Sequence, residues 1–171
     1  MEYLDVYDNN GKPTGRKVLR GDKEEEFDEK EHIPISIIFI ENDNKEFLIQ
    51  KTSKEKGGDY SSTGGHVLSG ETPLEAIKRE TKEEIGLDID NDEIIDYGYL
   101  LFDMPIRFLF YVQKNVDASK LKLQKEEVES VAFKSVDEIY NLIKDNKMLK
   151  SHAILFKELM SRLEEDEDDD E

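Results

Sequence analysis

The sequence predicts a mixed α/β domain, on three observations. Segments of strand length are interspersed with amphipathic segments of helix length, with no internal repeat. An N-terminal pair of apolar segments flanks an Asn-Gly turn. One central helix has both of its end signals written beside it. At 171 residues the chain suits a single domain, taken as 1–163, followed by an acidic segment over 164–171.

Tyr3 to Tyr7 alternates, Asn9-Asn10-Gly11 supplies a turn, and Arg16 to Leu19 runs back, which predicts a hairpin over 1–20. Gly21 to Glu31 is mostly acidic and reads as a loop. Ile33 to Ile40 is a near-continuous apolar run, as expected of a strand covered on both faces. Asn42-Asp43-Asn44 turns the chain into a second strand, Glu46 to Lys51. A basic, Gly-containing loop from Lys54 to Asp59 and the stretch Ser61 to Gly65 lead into the helix.

Thr72 is a good N-cap there, Pro73 suits the first helical position, and Glu75 completes a Thr-x-x-Glu capping box. Gly86 after Ile85 is the matching stop. Tyr97 to Phe102, Ile106 to Gln113 and Val128 to Phe133 follow as strands, and Ser135 to Lys144 and Ser151 to Leu163 as amphipathic helices. Glu164 to Glu171 is wholly acidic, has nothing to pack, and is expected to be a disordered tail.

Composition narrows the function classes. Charged residues make up 39% of the chain and the net charge is −18, without the clustered Lys and Arg that a duplex nucleic acid partner requires. A small phosphorylated ligand, neutralised by a bound cation, stays compatible. The absence of cysteine removes disulfides, thiolate metal sites and any cysteine nucleophile. The N-terminus lacks a basic start and an apolar stretch, and the longest apolar run is too short to span a bilayer, so no membrane association and a cytoplasmic location are expected.

On a helix turning about 100° per residue, Leu74, Ile77, Thr81 and Ile85 form one stripe that faces the core. Glu80, Glu83 and Glu84 stand at i, i+3 and i+4, so their carboxylates converge on a neighbouring face, with the small Ala76 one turn before them. Three clustered carboxylates far from the helix N-terminus need positive charge. Arg79 can pair with one, for instance Glu83 at i+4, and a hard divalent cation suits the rest. A solvated acidic face is the alternative for Glu83 and Glu84 taken alone.

The wider pattern favours the metal. Gly65, five residues, Glu71, seven residues, and then Arg79-Glu80-Thr81-Lys82-Glu83-Glu84-Ile85-Gly86-Leu87 resembles the Nudix box, with all seven fixed positions present. At residue frequencies of roughly one in ten or rarer, such a coincidence arises about once in ten million windows. One aliphatic slot holds Thr81, whose hydroxyl can bond back to the Ile77 carbonyl.

The resemblance implies an α/β/α sandwich with a mixed sheet, and a pyrophosphohydrolase using Mg²⁺, with Mn²⁺ as a substitute, on a small diphosphate-containing substrate. It assigns Glu80, Glu83, Glu84 and the Gly65 carbonyl to the metal, and Glu71 and Arg79 to an ion pair that holds loop and helix in place. A general base is required. The box glutamates are candidates, as are Glu126, Glu127 and Glu129 before the last strand, with Glu127 taken as catalytic. Substrate phosphates need cations, for which Lys51, Lys54, Lys56 and Arg107 are candidates. Tyr60, Tyr97, Tyr99 and Phe102 are stacking candidates, although aromatic residues on strands also serve as core.

Within the family, Leu4-Asp5-Val6-Tyr7-Asp8, Gly11-Lys12-Pro13-Thr14-Gly15 and Gly64-Gly65-His66 resemble the branch that shares a hairpin with isopentenyl diphosphate isomerases, over roughly the first 115 residues. By similarity His66, and also His32, match metal-binding histidines there. That makes an isomerase the competing enzyme class, but its cysteine position is held by Gly64. A non-catalytic nucleotide-binding module is the third alternative; such modules lose box carboxylates, and this chain keeps every one. Homodimers are common among such folds. His152, on the last helix, is assigned no role.

Overall fold

A computed structural model describes residues 1–169. It opens with β1 (Tyr3–Tyr7) and β2 (Pro13–Leu19), an antiparallel pair. The Asp8 carboxylate accepts from the backbone N–H of Asn10 at 2.8 Å and of Lys12 at 3.1 Å, and Gly11 supplies a φ of 75° that closes the turn. Leu4, Val6 and Val18 bury one hairpin face against Ile33, Phe27 and Leu68, so the hairpin is fastened to the domain beside the loop that precedes the box helix.

The main sheet contains β3 (Pro34–Glu41), β4 (Glu46–Thr52), β5 (Tyr60–Ser61), β6 (Thr63–His66), β7 (Ile95–Leu101), β8 (Ile106–Gln113) and β9 (Val128–Ser135). Its order is β5-β4-β3-β8-β7, with β6 also pairing β3 and β9 also pairing β4. β3 and β8 run parallel and the remaining pairs antiparallel, so the sheet is mixed, as expected.

Alternation along the two central strands makes both faces apolar. Ile38 and Ile40 with Phe108, Phe110 and Val112 pack on Ile77 and Ile85 of α1 (Pro73–Ile85). Ile37 and Phe39 with Leu109 and Tyr111 pack on Ile139 of α2 (Val136–Lys144) and on Leu155, Phe156 and Leu159 of α3 (Lys150–Asp169). Two helical layers therefore enclose one sheet, the α/β/α arrangement that the box implied. Among the described residues no helix is long and apolar enough to cross a membrane.

The hairpin, the α1 boundaries and β8 agree with the sequence reading, whereas β2 starts earlier, at Pro13. β5 and β6 were expected only as a stretch leading to the helix. Two-residue and Gly-Gly strands have almost no strand signature of their own, and β6 exists because its backbone pairs with β3. The clearest difference is at the acidic end. Residues 164–169, expected to be disordered, extend α3 by more than a turn, and residues 170–171 lie outside the described residues. Adding residues to an existing helix needs no new nucleation, and Tyr97 hydroxyl donates to the Asp166 carboxylate across to β7.

Candidate functional site

The site is built on a loop, a helix and a second loop. Thr72 caps α1, its hydroxyl accepting from the Glu75 N–H at 3.1 Å while the Glu75 carboxylate accepts from the Thr72 N–H at 3.0 Å. Gly86 ends the helix at φ 70°. The carbonyls left free in the last turn are used to position the second loop: Glu84 O accepts from Gln124 N–H at 2.9 Å and Ile85 O from Lys122 N–H at 3.2 Å. The loop's far end is held by Ser53, whose N–H donates to Glu127 O at 3.0 Å.

This fastening places Glu127 opposite the box carboxylates. Glu80, Glu83, Glu84 and Glu127 line a single hollow with Gly64, Gly65, Arg79, Gln124, Glu2 and Arg20. Glycine is required twice at its floor. A Cβ on Gly65 would lie 2.4 Å from the Glu80 carboxyl carbon, so the bare backbone is what lets that carboxylate close onto β6. A Cβ on Gly64 would lie 2.5 Å from the Ser36 carbonyl oxygen, so no side chain fits there, cysteine included.

Arg79 organises the acids around it. Its Nε donates to Glu71 at 2.7 Å and its Nη2 to Glu71 at 2.9 Å and to the His66 carbonyl at 3.0 Å. Its Nη1 donates to Glu80 at 2.9 Å and to Glu83 at 3.3 Å. Burial favours the neutral acid in Glu71, but Arg79 and the Leu68 N–H, which donates to it at 2.9 Å, together outweigh that, leaving the carboxyl below its ordinary value. Glu80 is raised by burial despite Arg79.

Glu84 is buried against β6. Burial and the neighbouring Glu80 charge push it up to about 8, opposed by the Gly64 N–H that donates to it at 3.2 Å. Glu83, half exposed at 50%, is the most accessible of the three. The cluster therefore combines hard oxygen donors with a deficit of positive charge, which is the donor set a divalent cation of the Mg²⁺ type takes. No group of three or more acidic or imidazole side chains among the described residues forms a ready-made cage, and Arg79 lies among the box acids. Glu80, Glu83, Glu84 and the close-lying Gly65 backbone are the residues that could hold such a cation, on the open side of the hollow.

The other sequence candidates fall in different places. Glu126 and Glu129 line a neighbouring hollow with Lys54. Lys56 pairs with Glu127 at 3.4 Å and so touches the site through it, whereas Lys51 pairs with Glu129 at 3.5 Å. Arg107 is buried on the sheet face that packs against α2 and α3, paired with Asp103 and 4.6 Å from the Phe102 ring centroid. His66 is half-buried, and burial together with Arg20 holds its imidazole down to about 4. His32 is committed elsewhere, to the Met104 carbonyl at 2.9 Å and to the Asn9 side chain.

Glu2, Arg20 and Gln124 also line the hollow, and no motif in the sequence marks them. The first two were legible in principle: pairing Tyr3 with Leu19 sets residue 2 across from residue 20 at the open end of the hairpin. A second, more apolar hollow lined by Tyr3, Lys17, Leu68 and Ser69 adjoins the first across Glu2.

The sandwich and the carboxylate-lined loop-helix-loop define a class, that of hydrolases built around one acidic helix. A family model described as the NUDIX domain matches residues 30–159, and the chain belongs to the Nudix family. It is 34% identical over 143 residues to an uncharacterised Nudix hydrolase of Listeria monocytogenes, covering 81% of this chain and 83% of that one. An ADP-ribose pyrophosphatase of Methanocaldococcus jannaschii is 48% identical over 48 residues, 28% of each chain. A crystal structure of a Deinococcus radiodurans protein superimposes with a TM-score of 0.75 at 17% identity, over 91% of this chain and 98% of that one, a likeness of fold.

Proposed function

We propose that the chain hydrolyses a phosphoanhydride bond in a small nucleoside diphosphate-linked or related diphosphate compound, with Mg²⁺ or Mn²⁺ held by Glu80, Glu83, Glu84 and the Gly65 carbonyl. The observation that carries this reading is the convergence of those three box carboxylates and Glu127 on one hollow floored by glycine. The partial match to an ADP-ribose pyrophosphatase supports a substrate of the nucleoside diphosphate type.

A divalent cation bound there supplies charge neutralisation at the phosphate oxygens and a lowered pKa for attacking water. The side chains do the rest. Glu127, on a loop tied to both Ser53 and α1, accepts the proton of the attacking water in this reading. Arg79 and Glu71 hold the helix against the His66 carbonyl, so the carboxylates keep their spacing as charge changes in front of them. The closed backbone at Gly64 leaves no place for the cysteine that isomerase chemistry would need.

A panel of nucleotide diphosphate compounds, assayed with and without Mg²⁺, tests the reading. Product release that depends on the cation is expected. Glu84→Gln should lower turnover by orders of magnitude, and Glu127→Gln by about 10²- to 10⁴-fold if it is the base. Undiminished turnover in Glu83→Gln and Glu84→Gln alike would overturn the metal assignment.

A further inference from the structure

We propose that Arg20, at the open end of the N-terminal hairpin, is the side chain that receives a substrate phosphate, and that Glu2 holds it as an exchangeable counter-ion until the polyanion arrives. The inference rests on the diphosphate reading above and adds a specificity-determining residue to it.

Five carboxylates face two guanidinium groups in the hollow. A diphosphate brings further negative charge, which a single divalent cation does not balance. Of the two guanidinium groups, that of Arg79 has all three nitrogens engaged by Glu71, Glu80, Glu83 and the His66 carbonyl. Among the described residues Arg20 has one ion pair, from Nη1 to Glu2 at 2.7 Å, and its side chain is 46% exposed. Its remaining donors are free to turn towards the hollow.

The Arg20 backbone is not equally free. Its N–H donates to Glu2 O at 2.9 Å, continuing the β1–β2 ladder, so the Cα is fixed while the side chain can swing. Its charge already reaches the site: it opposes the rise of Glu80 and helps to lower His66. None of Lys51, Lys54, Lys56 and Arg107 lines the hollow. Arginine also suits the task, because its planar fork takes two phosphate oxygens at once. Exchanging Glu2 for phosphate is favourable because an exposed ion pair contributes little on its own, whereas phosphate offers more acceptor oxygens and more charge.

The ion pair permits a test in which the two partners give opposite signs. Affinity for methylenediphosphonate in the presence of Mn²⁺ is measured by calorimetry, Mn²⁺ affinity alone by electron paramagnetic resonance, and KM and kcat on the panel compound that turns over fastest. Arg20→Gln should weaken diphosphonate binding and raise KM by about tenfold or more, without weakening Mn²⁺. Glu2→Gln breaks the same pair but frees Arg20, so it should tighten diphosphonate binding by up to about fivefold.

Equal losses in both variants would show the pair to be a structural clasp and overturn the proposal, as would unchanged affinity in Arg20→Gln. A wild-type protein that turns over panel compounds with a KM indifferent to Arg20 removes the Arg20 assignment and leaves the hydrolase reading. One that cleaves nothing, yet binds diphosphonate through Arg20, does the reverse.

Discussion

Arg79 is the residue on which the box geometry depends, because it serves two purposes through different nitrogens. Nε and Nη2 form a two-pronged bond to Glu71, tying the loop before α1 to the helix, while Nη1 stands between Glu80 and Glu83 and offsets their repulsion. The pair is well shielded, with side-chain exposures of 24% and 20% for Arg79 and Glu71, so removing one partner strands the other. Arg79→Gln should therefore lower the unfolding free energy by about 2 kcal/mol, read as a reduced urea midpoint with an unchanged slope. An unaltered midpoint would mean that Glu71 is solvated without Arg79. At this scale the sequence was informative where one side chain meets another at helical spacing: the Arg79–Glu83 contact follows from i,i+4 geometry, and the Thr81 hydroxyl bonds back to Ile77 O at 2.6 Å as the sequence suggested. It was silent where the partner is backbone, as with Arg79 and the His66 carbonyl, because every residue has a carbonyl.

Among the elements, the approach of β6 to β3 and α1 decides whether the carboxylates have a floor. Neighbouring glycines there meet different obstacles. A methyl group on Gly64 would strike the Ser36 carbonyl and the Ile37 side chain, both parts of a central strand that cannot withdraw, whereas the atoms nearest one on Gly65 belong to the Glu80 carboxylate at the end of a flexible side chain. Gly64→Ala should cost about 2 kcal/mol or more in stability by forcing β6 off β3. Gly65→Ala should unfold at nearly the wild-type temperature yet lose cation-dependent turnover, because Glu80 must turn away. A melting point in Gly65→Ala as depressed as that of Gly64→Ala would contradict this division. The helix at this junction was legible to the residue because capping box, proline and terminal glycine are local signals. β5 and β6 were not, since β5 has only two residues to carry a pattern and β6 is fixed by pairing with β3, which lies far from it in the chain. The acidic end of α3 shows the converse error: composition argued for disorder, while helix continuation and the Tyr97–Asp166 contact are cooperative and tertiary effects.

Across the whole molecule, the layer of α2 and α3 is joined to the box side of the sheet through His152, which the sequence offered no reason to single out. Its Nδ1 accepts from Ser62 N–H at 3.1 Å and lies 2.8 Å from the Ser62 hydroxyl, just ahead of β6. A backbone N–H can only donate, so Nδ1 bears no hydrogen and the neutral ring keeps its proton on Nε2. Protonating the ring would set one N–H against another at a half-buried position. Burial, together with the charge of Arg107, accordingly holds the imidazole down to about 4. The folded value lies below the unfolded value of 6.5, so between those limits the unfolded chain binds more protons, and stability is lost as pH falls from 6.5 towards 4. Between pH 7 and pH 5 this amounts to about 1–2 kcal/mol. Carboxylates and His66 titrate over part of the same range, so the measurement is a difference of differences: urea unfolding at both pH values for the wild type and for His152→Asn, whose side-chain oxygen can still accept from Ser62. The wild type should lose about 1–2 kcal/mol more than the variant on acidification. Parallel losses would mean that His152 is already solvated, and that α3 is held to the sheet by its apolar face alone.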